Sequence, residues 1–267
     1  MFKKLFNYSG GFSARDPEER NAFSYAKAGK QTMTPNEINN AFLPQCVRDP
    51  KRLTLFLGHY GSGKTNIAIN YALALKRNGG KVGIADLDIV NPYFRTKDSI
   101  NELSEAGIRL ICSEYANSNV DIPAMPQDMY AVTDDKSYHM VLDIGGDDRG
   151  ALALGRLVPA IIEEDNYSML MVINRYRPLT RNASDTLEVM REIETACGLR
   201  FTGLVNNSNL GAETTPEDIL SSAGYAYEIS RLTSLPVSLT TVRADLYGEI
   251  SSRMPEVFPL TLQKKII

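Results

Sequence analysis

The sequence predicts an α/β protein: a doubly wound, mostly parallel seven-stranded sheet with flanking helices, preceded by a helical N-terminal extension. Three observations predict it. From Lys51 onward, short apolar, β-branched runs alternate with longer amphipathic segments. The first such run leads directly into the glycine-rich stretch GHYGSGKTN, Gly58 to Asn66, which opens a helical segment. The chain has 267 residues and is 43% hydrophobic, enough to bury a substantial core.

Residues 1–50 stand outside the alternation and are read as the extension, with 51–267 as the core domain. Asp16-Pro17-Glu18-Glu19 opens a helix running to about Gly29, and TPNE, Thr34 to Glu37, is a capping box with proline at the first helical position. The opening MFKKLF sets bulky apolar residues beside two lysines, so it reads either as a small amphipathic membrane contact or as a frayed terminus. So short a segment buries too little area for stable anchoring, which favours the frayed terminus.

In the core, the strand candidates begin with RLTLFLG (from Arg52), KVGIAD (from Lys81), IRLICSE (from Ile108) and HMVLDIG (from His139). SMLMVIN (from Ser168), RFTGLVN (from Arg200) and PVSLTT (from Pro236) complete the set. KTNIAINYALALKRNGG is apolar on most faces, as a helix packed on a sheet should be, and Gly79-Gly80 supply its stop. ASDTLEVMREIETACG is amphipathic, with Leu187, Met190, Ile193 and Cys197 at helical spacing, positions that read as core rather than chemistry.

Composition excludes several functions. The formal charge of -3 shows no global basic excess, so no strong nucleic-acid signal is present. The three cysteines, Cys46, Cys112 and Cys197, lie far apart without a C-x-x-C pair, and only two histidines accompany them. Neither a disulfide framework nor a zinc site is expected. No apolar stretch approaches transmembrane length, and a cytoplasmic location is expected.

GHYGSGKT fits G-x-x-x-x-G-K-[ST], the P-loop pattern, and its context of preceding strand and following helix is the confirming one. A phosphate chain must be held without side-chain bulk, so Gly58, Gly61 and Gly63 bring backbone N–H groups inward around His59, Tyr60 and Ser62. Lys64 reaches the β- and γ-phosphates, Thr65 ligates Mg2+, and Asn66 completes the stretch. A carboxylate at another strand end must hold the ion or its waters. Asp143 in MVLDIGG is one candidate, with Gly146 placed to sense a γ-phosphate. Asp86 and Asp88 in IADLDIVNPYFR are the others.

GHYGSGKT, ADLDIVN and LDIGG, in that order, resemble the MinD/ParA/nitrogenase-iron-protein class of P-loop ATPases, over roughly residues 52–241. The resemblance implies that Asp88 lies in switch I and positions the attacking water, and that Asp143 and Gly146 belong to Walker B and switch II. It also implies that an asparagine after the penultimate core strand bonds adenine. Asn207 in GLVNNSN is the choice, with Asn206 its neighbour, and an asparagine-rich strand cap is the plainer reading. Neither INRYRP nor VNNSNL carries the aspartate of an N-K-x-D guanine motif, so ATP is favoured over GTP.

Many members of the class carry a signature lysine where this chain has His59, and a glycine where it has Tyr60. That lysine reaches a partner's nucleotide across a sandwich dimer. Here His59 acts as a weakened finger, or Arg95 or Arg149 takes the role, or His59 simply lines the loop; slow basal hydrolysis is expected in each case. The implied function is an ATP-binding, Mg2+-dependent ATPase forming an ATP-dependent homodimer and acting as a switch for an unidentified protein partner. The alternative is an ATP-dependent small-molecule synthetase or kinase of the dethiobiotin-synthetase kind. That reading needs convergent basic residues in the loop at 117–127, and the loop has none.

Overall fold

The computed structural model describes residues 43–87, 97–112, 127–146 and 148–262. The helices expected at 16–29 and from Thr34 lie outside the described residues.

Eight strands form one sheet: β1 (Leu53–Leu57), β2 (Val82–Leu87), β3 (Arg109–Cys112), β4 (His139–Ile144), β5 (Tyr167–Ile173), β6 (Gly203–Asn206), β7 (Val237–Arg243) and β8 (Val257–Leu260). Their order is β3-β2-β4-β1-β5-β6-β7-β8, and every neighbouring pair is parallel. The seven expected strands are all present. The eighth, VFPL, is additional to the seven expected: Pro259 locally disfavours a strand, and an outer strand tolerates it.

From β1 the chain winds outward to β3, returns to β4, then crosses to β5 and continues to β8. The connections at the two sides of β1 therefore diverge, which opens a crevice beyond its carboxyl end.

Among the described residues the helices are α1 (Gln45–Arg48), α2 (Lys64–Arg77), α3 (Lys97–Glu105), α4 (Ala131–Asp134), α5 (Asp148–Gly155), α6 (Val158–Glu164), α7 (Ala183–Cys197), α8 (Pro216–Thr233) and α9 (Tyr247–Ser251). They cover both faces of the sheet, which is why β1 is buried along its whole length. Side chains alternate along the strand: Leu53, Leu55 and Leu57 join one core with Leu154 of α5, Ile161 of α6 and Met190 of α7. Phe56 faces the opposite core, with Val47 of α1, Ile67 of α2, Leu103 of α3 and Ile250 of α9. α8 serves both, through Ile219 on one side and Ile229 on the other.

Local chemistry sets the helix ends. α2 stops where the Asn78 N–H bonds the Ala74 carbonyl and Gly79 turns to φ +87°. Asn182 caps α7 by accepting from the Asp185 N–H at 2.9 Å. α8 begins with a reciprocal capping box between Thr215 and Asp218, with Pro216 in the first turn.

Two tethers fasten the rim opposite the crevice and the segment before β1. Arg52, buried, makes a two-pronged ion pair with Glu164, Nε to Oε1 and Nη2 to Oε2 at 2.6 Å, and its Nη1 donates to the Val132 carbonyl at 3.0 Å. The Tyr71 hydroxyl of α2 donates to the Cys46 carbonyl at 2.5 Å, and its ring stands edge-on to Phe56. No helix among the described residues is long and apolar enough to cross a membrane.

Candidate functional site

The glycine-rich loop occupies the crevice between the end of β1 and the start of α2. Gly58, Gly61 and Gly63 all take positive φ, which glycine adopts without strain. At Gly63 the requirement is also steric, because a Cβ there would collide with the Asn207 amide. The N-terminus of α2 thus faces the crevice with its first N–H groups, a ready site for anions.

Within the loop, Lys64 is buried and its Nζ donates to the Gly58 carbonyl at 3.0 Å and to the His59 carbonyl at 3.4 Å. The His59 Nδ1 lies 2.9 Å from the Tyr60 carbonyl oxygen, and Tyr60 is 63% exposed. The Ser62 hydroxyl is fully buried with no hydrogen-bond partner among the described residues. Asn66, in the first turn of α2, accepts from the Asn70 side chain through its own carbonyl.

The expected ion-binding oxygens converge. Thr65 Oγ1 donates to Asp143 Oδ2 at 2.5 Å. Asp86 on β2 stands in register with Asp143 on β4, and both are buried near the carboxyl ends of their strands. One hydroxyl and two carboxylates form a sparse, hard-oxygen set, which fits a magnesium ion that keeps waters and takes phosphate oxygens. Among the described residues no cluster of three or more His, Cys, Asp or Glu exists, so a multi-ligand transition-metal site is not offered there.

Gly146 completes this side. A Cβ built on it would sit 2.6 Å from the Gly58 carbonyl oxygen and 2.9 Å from the Tyr60 nitrogen. The segment after β4 therefore rests directly on the phosphate loop, and only glycine permits that approach.

The two asparagines at the end of β6 diverge. Asn206 turns to α8, its Nδ2 donating to Ser222 Oγ at 2.9 Å. Asn207 turns to the loop, its Nδ2 donating to the Ser62 carbonyl at 2.6 Å and its Oδ1 accepting from Thr241 Oγ1 at 2.5 Å. Beside Asn207 lies a depression bordered by Thr241, Arg243 and Leu260. Arg243 clasps Asp245 through two hydrogen bonds of 2.5 and 2.8 Å, which hold the Asp245 carboxyl below its ordinary range.

Asp88, Arg95 and positions 113–126 of the loop after β3 lie outside the described residues, while Arg149 falls within α5. One contact escaped the sequence reading. Arg177, on the turn after β5, donates from Nε to the Gly61 carbonyl at 2.9 Å. The charged run INRYRP hinted at it, but nothing local says which arginine meets a loop more than a hundred positions earlier.

No protein-family model matches the chain, and no curated protein matches it in sequence. Solved structures do match in fold. The cell division protein FtsY of Thermotoga maritima aligns over 79% of this chain and 71% of its own, at 17% identity and a TM-score of 0.53. The signal recognition particle receptor FtsY of Elizabethkingia anophelis, in complex with GDP, aligns over 72% of this chain and 57% of its own, at 16% identity and a TM-score of 0.47. The signal recognition particle 54 kDa protein of Aeropyrum pernix, also with GDP, gives 87%, 49%, 15% and 0.46 in the same terms, so this chain spans about half its length. The Thermotoga likeness carries the fold, that of a P-loop NTPase.

Proposed function

We propose that this chain is an ATP-binding, magnesium-dependent ATPase of MinD/ParA-like type, working as a nucleotide-controlled switch for a protein partner. The carrying observation is the joined site: Thr65 bonded to Asp143, with Asp86 in register, at the foot of a loop on which Gly146 rests. Lys64, the residue before Thr65, supplies the cation for the β- and γ-phosphates. When bound, the magnesium ion neutralises charge on those phosphate oxygens. Asp88, one residue past β2, positions the attacking water.

Adenine over guanine is favoured by the surroundings of Asn207. Guanine readers present a free carboxylate to the base edge, and none of the residues lining the depression beside Asn207 is an Asp or Glu. The switch is the contact between Gly146 and the loop. A γ-phosphate drawn to the Gly146 N–H biases the segment that follows, and hydrolysis releases it. An ATP-dependent homodimer is the form in which that segment meets its partner.

Titration with fluorescent ATP and GTP analogues tests the reading. ATP binds more tightly, and Lys64→Ala loses binding of both; undiminished affinity in Lys64→Ala, or a preference for GTP, overturns the assignment. Asp88→Ala retains ATP and stops turnover, and light scattering then reports twice the mass with magnesium-ATP but not with magnesium-ADP. An unchanged monomer removes the homodimer and shifts weight to phosphoryl transfer onto a small molecule.

A further inference from the structure

The phosphate loop is held from outside by two side chains on neighbouring carbonyls. Arg177 Nε donates to the Gly61 oxygen at 2.9 Å, and Asn207 Nδ2 donates to the Ser62 oxygen at 2.6 Å. In a planar trans peptide the carbonyl and the next N–H point in opposite directions. Drawing the Ser62 carbonyl toward Asn207 therefore turns the Gly63 N–H to the other side of the loop, where a phosphate is held. Drawing the Gly61 carbonyl toward Arg177 fixes the preceding peptide plane, whose Ser62 N–H closes a turn onto the His59 carbonyl at 3.1 Å.

The turn that carries Arg177 is itself rigidly built. Asn174, buried at the end of β5, accepts from the Tyr176 N–H at 3.0 Å, and its carbonyl accepts from the Arg177 N–H at 3.0 Å and from Thr180 Oγ1 at 2.7 Å. The Tyr225 hydroxyl of α8 donates to the Thr180 carbonyl at 2.7 Å. Asn174 Nδ2 reaches the Asn209 carbonyl at 3.3 Å, joining this turn to the one that carries Asn207. Two buried polar side chains, Asn174 and Thr180, thus serve to fix where Arg177 stands.

We propose that Arg177 is a positioning residue for phosphate binding: with Asn207 it clamps consecutive carbonyls of the loop and holds the amides in their binding orientation before nucleotide arrives. This rests on the nucleotide reading above. The contact is made by Nε, not by the charge as such, and that distinguishes two variants. In Arg177→Gln the amide nitrogen sits the same number of bonds from Cα as Nε, so the donor is kept and the charge removed. In Arg177→Lys the charge is kept, a methylene replaces Nε, and the donor moves one bond further out.

The test is ATP and ADP affinity of the full chain and its Arg177→Ala, Arg177→Gln and Arg177→Lys variants, with the thermal midpoint of each unliganded protein. Arg177→Ala weakens both nucleotides by roughly threefold to tenfold, the scale of one neutral hydrogen bond lost at the loop. Arg177→Gln recovers most of that loss and Arg177→Lys does not, while the unliganded midpoints stay together. Recovery by lysine but not by glutamine assigns Arg177 to charge rather than to loop geometry and overturns the proposal. Unchanged affinity in Arg177→Ala, or midpoints falling in step with affinity across the series, overturns it as well. A wild-type chain that binds neither ATP nor GTP refutes the nucleotide reading itself, and this clamp with it.

Discussion

Glu164→Ala should damage the protein far from the site and leave nucleotide affinity alone. The side chains of Arg52 and Glu164 are only 8% and 10% exposed, so the pair is nearly dry. Removing the carboxylate leaves the guanidinium with the Val132 carbonyl at 3.0 Å and the Tyr138 carbonyl at 3.5 Å, neither of which carries charge. Stranding one member of a buried pair costs about 3–5 kcal/mol. For a chain of this size that lowers Tm by roughly 10 °C. A double variant, Arg52→Met with Glu164→Leu, removes both charges and should recover most of the loss, because well-packed apolar replacements of buried pairs are close to neutral. The assay is thermal and urea unfolding of all three proteins, with ATP titration beside it. Arg52 precedes β1 and Gly58 follows it, so the pair and the loop stand roughly 20 Å apart along the strand. Glu164→Ala within about 2 °C of wild type would show that water reaches the guanidinium and that the dry-pair reasoning is wrong.

Other outcomes follow from the same geometry. Gly146→Ala places a methyl 2.6 Å from the Gly58 oxygen, so the loop must shift; ATP affinity falls while the unfolding midpoint moves little, and normal affinity refutes the contact. Asn206→Ala, which breaks the bond to Ser222 in α8, lowers stability by about 1–3 kcal/mol without changing nucleotide affinity, whereas Asn207→Ala lowers both, since it also frees the Ser62 carbonyl of the loop. Burial pushes the Cys46 thiol up to about 12, so at alkaline pH the unfolded chain ionises first. Its contribution is intact below the unfolded value of about 8.5 and falls by up to about 1.4 kcal/mol per pH unit above it. Urea melts at pH 8 and pH 10.5 should diverge more for wild type than for Cys46→Ala, and equal divergence refutes the assignment.

What the sequence made legible was local. The phosphate loop, the strand before it and the helix after it are contiguous, and apolar alternation marked seven of the strands. Asp143 and Asp86 were readable because each ends an apolar run, and a parallel sheet brings such ends to one rim. The illegible parts depend on pairing across distance. Arg177 meets Gly61, and Arg52 meets Glu164, only once the order of the strands is known, and no spacing rule encodes that order. β8 is illegible for the opposite reason: its proline locally disfavours a strand, and only its place at the margin of the sheet makes room for it. Leu43 and Val47 likewise gave no periodic pattern, yet both are buried in the core beneath α2.

That margin also limits how copies of the chain can associate. A parallel sheet exposes unpaired main-chain groups along each outer strand, and a second chain can extend the sheet there. β8 is four residues long and one of them, Pro259, has no N–H to donate. An added strand would find too few donors for a stable ladder, so this rim resists end-to-end growth into fibres. Another chain that extended the sheet would therefore have to do so at β3 rather than at β8.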